Sequence, residues 1–282
     1  MQNAATRYHK DIAALDKNTS HHKLAARVPA GTSVLDVGCA CGDMGIFLKE
    51  TKQCRMTGVE YDEASLAIAA ASGAYDCLRQ ADLNSFDPLE HFSPASFDVL
   101  LFGDILEHLY DPETVLKNFL PLLKEDGRVL ISLPNITHAS IITQLILDKF
   151  EYTKDGILDK THIRFFSSES IGRLLSKTNL EIETCDHVIY DYGGFRPDYL
   201  FNIPVFIILY ILKLKHTAIF QYIIEAIPSP TEYDFLVKKN DSMLKNFSKE
   251  SLLNVLRTKK RYMVYKIILE KLKNIVKKTI KD

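Results

Sequence analysis

Residues 34–45, which read VLDVGCACGDMG, constrain the fold of this chain more than any other stretch. Thr32–Val37 predicts a short buried strand, because it is rich in β-branched and aliphatic residues. The residues that follow predict a sharp turn into a helix that begins near Asp43 or Met44. A strand, a glycine-containing turn and a helix N-terminus present backbone N–H groups where a ligand can approach closely.

Acidic residues follow the strands at the spacing of a nucleoside site. Asp36 ends the first predicted strand, and Glu60 ends a second one about two dozen residues after the turn, where an α/β nucleotide site places a carboxylate for ribose hydroxyls. Asp82 ends a third. The turn contains no Lys or Arg, and Ala40 occupies the central position of the strict dinucleotide fingerprint. The pattern therefore favours a ligand with a ribose and a base, and without a triphosphate.

Strands alternating with helices predict a doubly wound parallel sheet. In such sheets ligands bind beyond the carboxyl ends of the strands. The polar and glycine residues that stand at these ends are Asp36, Gly38, Glu60, Asp82, Asp104 and Asn135. Glu181–Val188 and Thr231–Lys238 are predicted to add an antiparallel edge.

The order of these motifs resembles that of class I S-adenosylmethionine-dependent methyltransferases. The segments that carry the resemblance, which covers about residues 8–190, are VLDVGCACGDMG, GVEYD, ADL, FDVLLFGDILEHL and LKEDGRVLISLPN. The later stretch LPNITHASIITQLILDKFEYTKDGILDKTHIRFFS is similar to a bacterial subgroup found beside glycosyltransferases. The resemblance implies a Rossmann-like seven-stranded α/β sheet, and it tolerates Ala40 if the φ of that residue is negative.

The resemblance also implies the cofactor and its residues. S-adenosylmethionine would be bound by the turn and the strand ends, with Glu60 on the ribose hydroxyls and Asp36 near the ammonium of the methionine part. The residues expected to contact the cofactor are Asp36, Gly38, Cys39, Gly42, Glu60, Tyr61, Asp82, Leu83, Gly103 and Asp104.

Transfer to a hydroxyl also needs an acceptor for the proton. His108, His138, His162 and His187 are the candidates. His162 is the preferred general base, with Tyr152 and Arg164 beside the substrate; His138 and Asp104 complete the catalytic set. A second interpretation of the same region is a divalent metal site formed by Asp104, Glu107 and His108 with His138 or His162, because carboxylates and imidazole suit Mg²⁺, Mn²⁺ or Zn²⁺.

Two further segments are predicted, one within the methyltransferase domain of residues 1–240 and one after it. Residues 190–230 form a predicted apolar helical insert, whose run after Asn202 is too short to span a bilayer. It can be a buried cap over the substrate side, a helix in a membrane interface (199–214) or a dimer contact. Residues 241–282 form a basic tail with 12 Lys/Arg against 4 Asp/Glu, and residues 248–280 have the period of an amphipathic helix. This helix packs on protein or binds an anionic membrane surface.

Composition limits the function further. The net charge is −1, and no base-reading motif accompanies the acidic body, so nucleic acid is not expected as a partner. Five cysteines without a CxxC pattern indicate a reduced compartment, and the chain opens with no secretory leader. We therefore expect a cytoplasmic methyltransferase, at the inner membrane face if the insert or tail binds lipid.

The resemblance suggests O-methylation of a sugar or lipid-linked glycan as the reaction. The alternatives are a metal-assisted enzyme acting on a quinone precursor or an RNA 3′ end, and a cofactor-binding protein without catalysis.

Overall fold

The computed structural model describes residues 9–189 and 202–229. Within these ranges the chain forms one sheet of seven strands with helices packed against it. The strands are β1 (Ser33–Val37), β2 (Arg55–Glu60), β3 (Cys77–Gln80), β4 (Phe97–Gly103), β5 (Leu123–Pro134), β6 (Leu180–Val188) and β7 (Gln221–Pro228). The helices are α1 (Ser20–Arg27), α2 (Asp43–Lys52), α3 (Glu63–Ala71), α4 (Pro112–Phe119), α5 (Ala139–Ile146), α6 (Ser168–Lys177) and α7 (Val205–Lys213).

The strand order is β3-β2-β1-β4-β5-β7-β6. The first five strands pair in parallel, and β7 runs antiparallel to both of its neighbours, β5 and β6. The predicted Rossmann-like, doubly wound sheet with an antiparallel edge pair is therefore confirmed.

The central strands are buried on both faces, as their continuous apolar sequences predict. Along β4, Leu100 and Phe102 belong to one hydrophobic cluster, whereas Val99 and Leu101 belong to a second one. Successive strand residues point to opposite faces, so the two clusters are the two layers on either side of the sheet. The carboxyl ends of the parallel strands consequently meet at one edge.

The last strand differs from the prediction. Gln221–Pro228 occupies the place between β5 and β6 that the sequence analysis gave to Thr231–Lys238, a range outside the described residues. Tyr222, Ile223 and Ile224 of this strand are fully buried. A strand buried on both faces shows a continuous apolar run and not an alternating one, so the alternating pattern at 231–238 did not identify the strand that lies between β5 and β6.

The helix that follows β4 also ends earlier than predicted. α4 stops at Phe119 instead of near Lys124, because Pro121 has no N–H with which to continue the helical hydrogen bonds, and the chain goes on as a 3₁₀ turn, Leu120–Leu122. The turn predicted at Asp126-Gly127 lies within β5, where the pairing with β4 shifts between Phe97 and Val99.

The predicted insert is helical only in part. α7 lies within it, but β7 takes up its last residues, so residues 190–230 are not one helical cap. α7 places Ile211 in the core and leaves Phe206 and Tyr210 exposed at 73% and 65%. Among the described helices, none has the length and apolarity that crossing a bilayer requires. Residues 190–201 and the basic tail 241–282 lie outside the described residues.

Candidate active site

The turn between β1 and α2 is built from backbone in the left-handed region. Gly38, Ala40 and Gly42 have φ values of 79°, 46° and 85°. Ala40 therefore does not have the negative φ that the sequence analysis expected. A left-handed alanine costs about 1–2 kcal/mol, because its Cβ approaches the following carbonyl oxygen. The chain holds this strained turn at the carboxyl end of β1, where a ligand of the sheet would lie.

Glu60, at the end of β2, holds the turn in place. Its Oε2 accepts a hydrogen bond from the Ala40 N–H at 2.9 Å, and its Oε1 accepts from the N–H groups of Tyr61 and Asp62 at 2.9 and 2.8 Å. A carboxylate has about four acceptor positions, so these three bonds leave one on Oε2. That remaining position fits a hydroxyl donor such as a ribose.

Asp36 lies beneath the turn and not in an open crevice. It is 4% exposed, and its Oδ2 accepts a hydrogen bond of 2.7 Å from the Tyr75 hydroxyl. Burial raises the pKa of Asp36 to about 7, against the opposing effect of the Tyr75 hydrogen bond. Asp36 would therefore attract the ammonium of the cofactor by its charge, without a direct contact. Tyr75 was missed in the sequence, since only the pattern of nearby glycines hints at a ring there.

The third strand end and its neighbours have varied surroundings. Asp82 is exposed and accepts from the backbone and side chain of Asn84, whereas Leu83 is buried. Tyr61 is exposed directly after the end of β2.

Cys39, in the turn after β1, is buried. Burial raises the pKa of its thiol, so this thiol is not a nucleophile at neutral pH.

Asp104 joins four elements at the end of β4, in a network that no local sequence pattern indicates. Its carboxylate accepts hydrogen bonds from Ser132 of β5, Gln221 of β7 and, at 3.2 Å, Ser20 of α1. Its own N–H donates to the Ser132 hydroxyl at 3.0 Å. Asp104 has a φ of 55°, which turns the chain away from the strand direction. Gly103 precedes it, and a Cβ there would lie 3.5 Å from Leu24.

Ile105 connects this loop to the turn. A Cβ added to Gly38 would lie 2.6 Å from Ile105 Cδ1, closer than atoms in contact can be. Gly38 therefore lets Ile105 lie directly against the turn. Glu107 and His108 follow in a short 3₁₀ turn, Leu106–His108, directly after the residue that lies against the turn at Gly38.

Glu107, His108 and His162 form a cluster with one candidate ligand atom each, and all these atoms lie within 4.8 Å of one another. The Nε2 atom of His162 is 4.0 Å from Glu107 Oε1. The Nδ1 atom of His162 bonds to the carbonyl of Ile157 at 3.0 Å, and that of His108 bonds to the carbonyl of Thr161 at 3.1 Å.

Hydrogen bonding fixes the tautomers of the two imidazoles. A carbonyl oxygen only accepts, so each Nδ1 carries the hydrogen and each neutral ring keeps a lone pair on Nε2. Metal-binding histidines are commonly oriented by such a bond from their second nitrogen. The pair can therefore bind a metal ion or a proton through Nε2.

The carboxylate of the cluster is poorly solvated. Glu107 is 1% exposed, and among the described residues its Oε2 has no hydrogen-bond partner. Burial, together with the negative charges of Asp104 and Asp159, raises its pKa well above the usual range. Burial and the neighbouring His162 lower the pKa of His108. A divalent cation fits this donor set, because it would satisfy the unpaired oxygen and offset the negative charge.

Two members of the predicted metal and base set lie elsewhere. Asp104 is engaged by its own network, and His138 caps α5 by accepting from the Ser140 N–H at 3.3 Å. Neither belongs to the cluster of Glu107, His108 and His162. Burial lowers the pKa of His138 to about 4. His187 is buried on β6 against Tyr222, in a core position.

The two predicted substrate neighbours are both on the surface side. Arg164 donates from its Nε atom to the Tyr110 carbonyl at 3.1 Å, and Tyr152 is 55% exposed.

This fold, with a strained glycine turn and a carboxylate at the next strand end, defines an α/β protein with a nucleoside-type cofactor site. A family model for methyltransferase domains matches residues 8–184. The chain therefore belongs to the methyltransferase-domain family, as a class I member whose cofactor is S-adenosylmethionine.

Similar proteins agree with this family. The chain is 36% identical over 165 residues to a ubiquinone biosynthesis O-methyltransferase of Idiomarina loihiensis, across 57% of this chain and 66% of that protein. It is 28% identical over 174 residues to a probable S-adenosylmethionine-dependent methyltransferase of Mycolicibacterium smegmatis, across 61% of each chain. The matches thus span about two thirds of these relatives. A putative methyltransferase of Haloferax volcanii, solved with the activator Trm112, shares the fold with a TM-score of 0.55, at 14% identity over 82% of this chain and 96% of that one.

Proposed function

We propose that this protein transfers the methyl group of S-adenosylmethionine to a hydroxyl on an aromatic ring, of the kind found in quinone precursors. The observation that carries the proposal is the cluster of Glu107, His108 and His162, held beside the cofactor turn by the contact between Ile105 and Gly38. The ubiquinone biosynthesis name of the relative from Idiomarina loihiensis supports the acceptor class.

The chain's own residues supply alignment and proton transfer. Glu60 and the turn at Gly38 would hold the adenosyl part, so that the sulfonium methyl faces the end of β4. His162, whose Nε2 lone pair faces Glu107, would take the proton of the acceptor hydroxyl as the methyl group is transferred in line. A divalent cation held by Glu107 and His108 would supply Lewis acidity that lowers the pKa of that hydroxyl, which leaves the Nε2 lone pair of His162 free to take the proton. The imidazole of His108 favours Mn²⁺ or Zn²⁺ over Mg²⁺.

The remaining cofactor residues are assigned by position. We assign Cys39 and Gly42 to the methionine side together with Gly38, and Asp82, Leu83 and Tyr61 to the adenine side. Asp104 and Gly103 would shape the methyl end. Because Asp104 already accepts three side-chain hydrogen bonds, its role there is to fix the loop and not to take a proton.

The test is methyl transfer from labelled S-adenosylmethionine to simple catechols and to extracts of cell envelope. We expect labelled catechol, loss of activity after treatment with a chelator, and recovery with Mn²⁺ or Zn²⁺. Glu107→Gln should no longer bind the metal, as measured by elemental analysis, whereas the exposed His91→Ala is the matched control and should bind it.

Other products would contradict the proposed acceptor. Labelled glycan in the envelope extract with unlabelled catechol would favour the sugar or lipid-linked glycan predicted from the resemblance. Labelled RNA ends with steep salt dependence would favour an RNA substrate. Cofactor binding without any labelled product would indicate a binding protein without catalysis. Full activity in the presence of chelator would remove the metal from the mechanism.

A membrane-facing location is a separate proposal, supported by the exposed Phe206 and Tyr210 of α7. The cytoplasmic location stays a prediction from the cysteine pattern. Flotation with vesicles of zwitterionic and anionic lipid tests the contact, and a Phe206→Ser, Tyr210→Ser variant should float less. Equal flotation would exclude α7 as the contact.

A further inference from the structure

The ring of Tyr75 occupies a space that three glycines on three elements leave open. A Cβ added to Gly45 of α2 would lie 2.3 Å from Tyr75 Cζ. A Cβ on Gly42 of the turn or Gly58 of β2 would lie 2.9 Å from other atoms of the same ring. These distances are too short for any contact, so each of these positions must lack a side chain for the ring to lie there. The cofactor turn is thus packed around Tyr75.

The hydroxyl of Tyr75 makes two polar contacts beneath the turn. It donates to Asp36 Oδ2 at 2.7 Å and accepts from the Gly45 N–H at 3.2 Å. Gly45 is the third residue of α2, and the N-cap residue Gly42 supplies no capping side chain. The first-turn N–H groups of a helix need such partners. Tyr75 therefore caps α2 and binds the buried carboxylate with the same oxygen.

The backbone beside Tyr75 is firmly anchored. The Asp76 N–H donates to the Met56 carbonyl at 2.8 Å, and the Asp76 carboxylate accepts from the Met56 N–H at 3.1 Å. Lys49 of α2 donates to the same carboxylate at 3.1 Å. Tyr75 is consequently fixed to both β2 and α2, which allows it to define the position of its partner.

We propose that Tyr75 is a positioning residue of the cofactor site, whose hydroxyl holds Asp36 ionised beneath the turn and so places a negative charge under the cationic end of S-adenosylmethionine. The proposal depends on the cofactor site described above, but not on the acceptor or the metal. It assigns to Asp36 an electrostatic role and to Tyr75 control over that charge.

The groups around Asp36 determine the direction in which the pKa of Asp36 shifts when the Tyr75 hydroxyl is removed. Burial and the negative charges of Glu60 and Asp43 together raise the pKa of Asp36 to about 7, against the Tyr75 hydrogen bond, which lowers it. Cys39 is the remaining titratable neighbour, and burial keeps its thiol protonated. Asp36 is therefore neutral below about pH 7 and negative above it. Removing the hydroxyl removes a bond that favours the charged form, so the pKa of Asp36 rises.

The test is the affinity for S-adenosylmethionine by calorimetry between about pH 6 and about pH 9, for the wild type and Tyr75→Phe. Wild-type affinity should increase as Asp36 ionises. In Tyr75→Phe the midpoint should move upward by about one pH unit or more, since a hydrogen bond to a charged group is worth at least that much. Tyr110→Phe, which changes an exposed tyrosine, is the matched control and should leave the midpoint unchanged.

Two further measurements separate the outcomes. S-adenosylhomocysteine keeps the ammonium to which Asp36 is assigned but lacks the sulfonium charge, so its affinity should respond to Tyr75→Phe in the same direction and to a smaller degree. Asp36→Asn should remove the part of the pH dependence of affinity that Tyr75→Phe shifts. If Tyr75→Phe does not fold, Asp36→Asn replaces it as the test variant. Superimposable profiles for wild type and Tyr75→Phe, or an unchanged profile in Asp36→Asn, would overturn the inference. Absence of binding by the wild type at every pH would instead contradict the cofactor site.

Discussion

The Nε2 atom of His162 and the Oε1 atom of Glu107 lie 4.0 Å apart, although 54 positions separate the two residues in the chain. The loop before α6 returns over the end of β4 to bring them together. The Ile163 and Arg164 N–H groups both donate to the Glu107 carbonyl at 3.0 Å, which fixes this return. The pair joins an imidazole on one loop to a buried carboxyl group on another.

His162→Ala should lower kcat by about 10²–10⁴-fold, because it removes the general base. The affinity for S-adenosylmethionine should stay unchanged, since His162 does not contact the turn. His138→Ala is the comparison: His138 caps a helix, so that variant should lose thermal stability rather than turnover per folded molecule. A fully active His162→Ala enzyme would end the assignment of this residue as the base.

Glu107→Gln should raise the melting temperature more at pH 8 than at pH 5. The folded state raises the pKa of Glu107, so the unfolded chain loses this proton first as pH rises. Stability contributed by the protonated carboxyl is therefore lost as pH increases above about 4.3, the usual value for a glutamate. The neutral amide avoids this loss. Measurement in metal-free buffer is essential, and an equal gain at both pH values would contradict the buried acid.

Glu60→Ala should abolish the increase in melting temperature that S-adenosylmethionine produces, because ligand stabilisation follows affinity. Glu60 also holds the Ala40 N–H, so the variant should be less stable without ligand as well. Glu60→Gln keeps an acceptor without the charge and should bind with intermediate affinity. A full thermal shift in Glu60→Ala would remove this residue from the ribose site.

Ala40→Gly should leave the free energy of unfolding within about 0.5 kcal/mol of the wild type or increase it. The glycine relieves a left-handed alanine, which offsets the entropy that it adds to the unfolded chain. Ala67→Gly, at an exposed position within α3, should instead cost about 1 kcal/mol. Denaturant unfolding of both variants tests the contrast, and equal losses would show that the turn is not strained at this residue.

Much of the parallel sheet could be predicted, because β1, β2 and β4 have the apolar sequences and terminal acids of their class. The antiparallel strand was misplaced, since Gln221–Pro228 is buried on both faces and lacks an alternating pattern. The metal set predicted from the sequence agrees only in part with the cluster of Glu107, His108 and His162. Asp104-x-x-Glu107 has helical spacing, but Asp104 has a positive φ and the 3₁₀ turn begins at Leu106, so the two carboxylates do not share a face.

Tyr75 could not be found from local sequence, because its partners come from four separate segments. Gly58 within a strand was one hint among the nearby glycines, since an interior glycine often marks a close approach of another group.

The packing of Ile105 on Gly38 has a thermodynamic consequence. We expect an adjustment of the turn on cofactor binding to reach Glu107 through Ile105, the residue that precedes the 3₁₀ turn Leu106–His108. Occupancy at one end of this contact should then alter affinity at the other, and by reciprocity the reverse holds to the same degree. The acceptor would then have different affinities for the free enzyme and for its complex with S-adenosylmethionine.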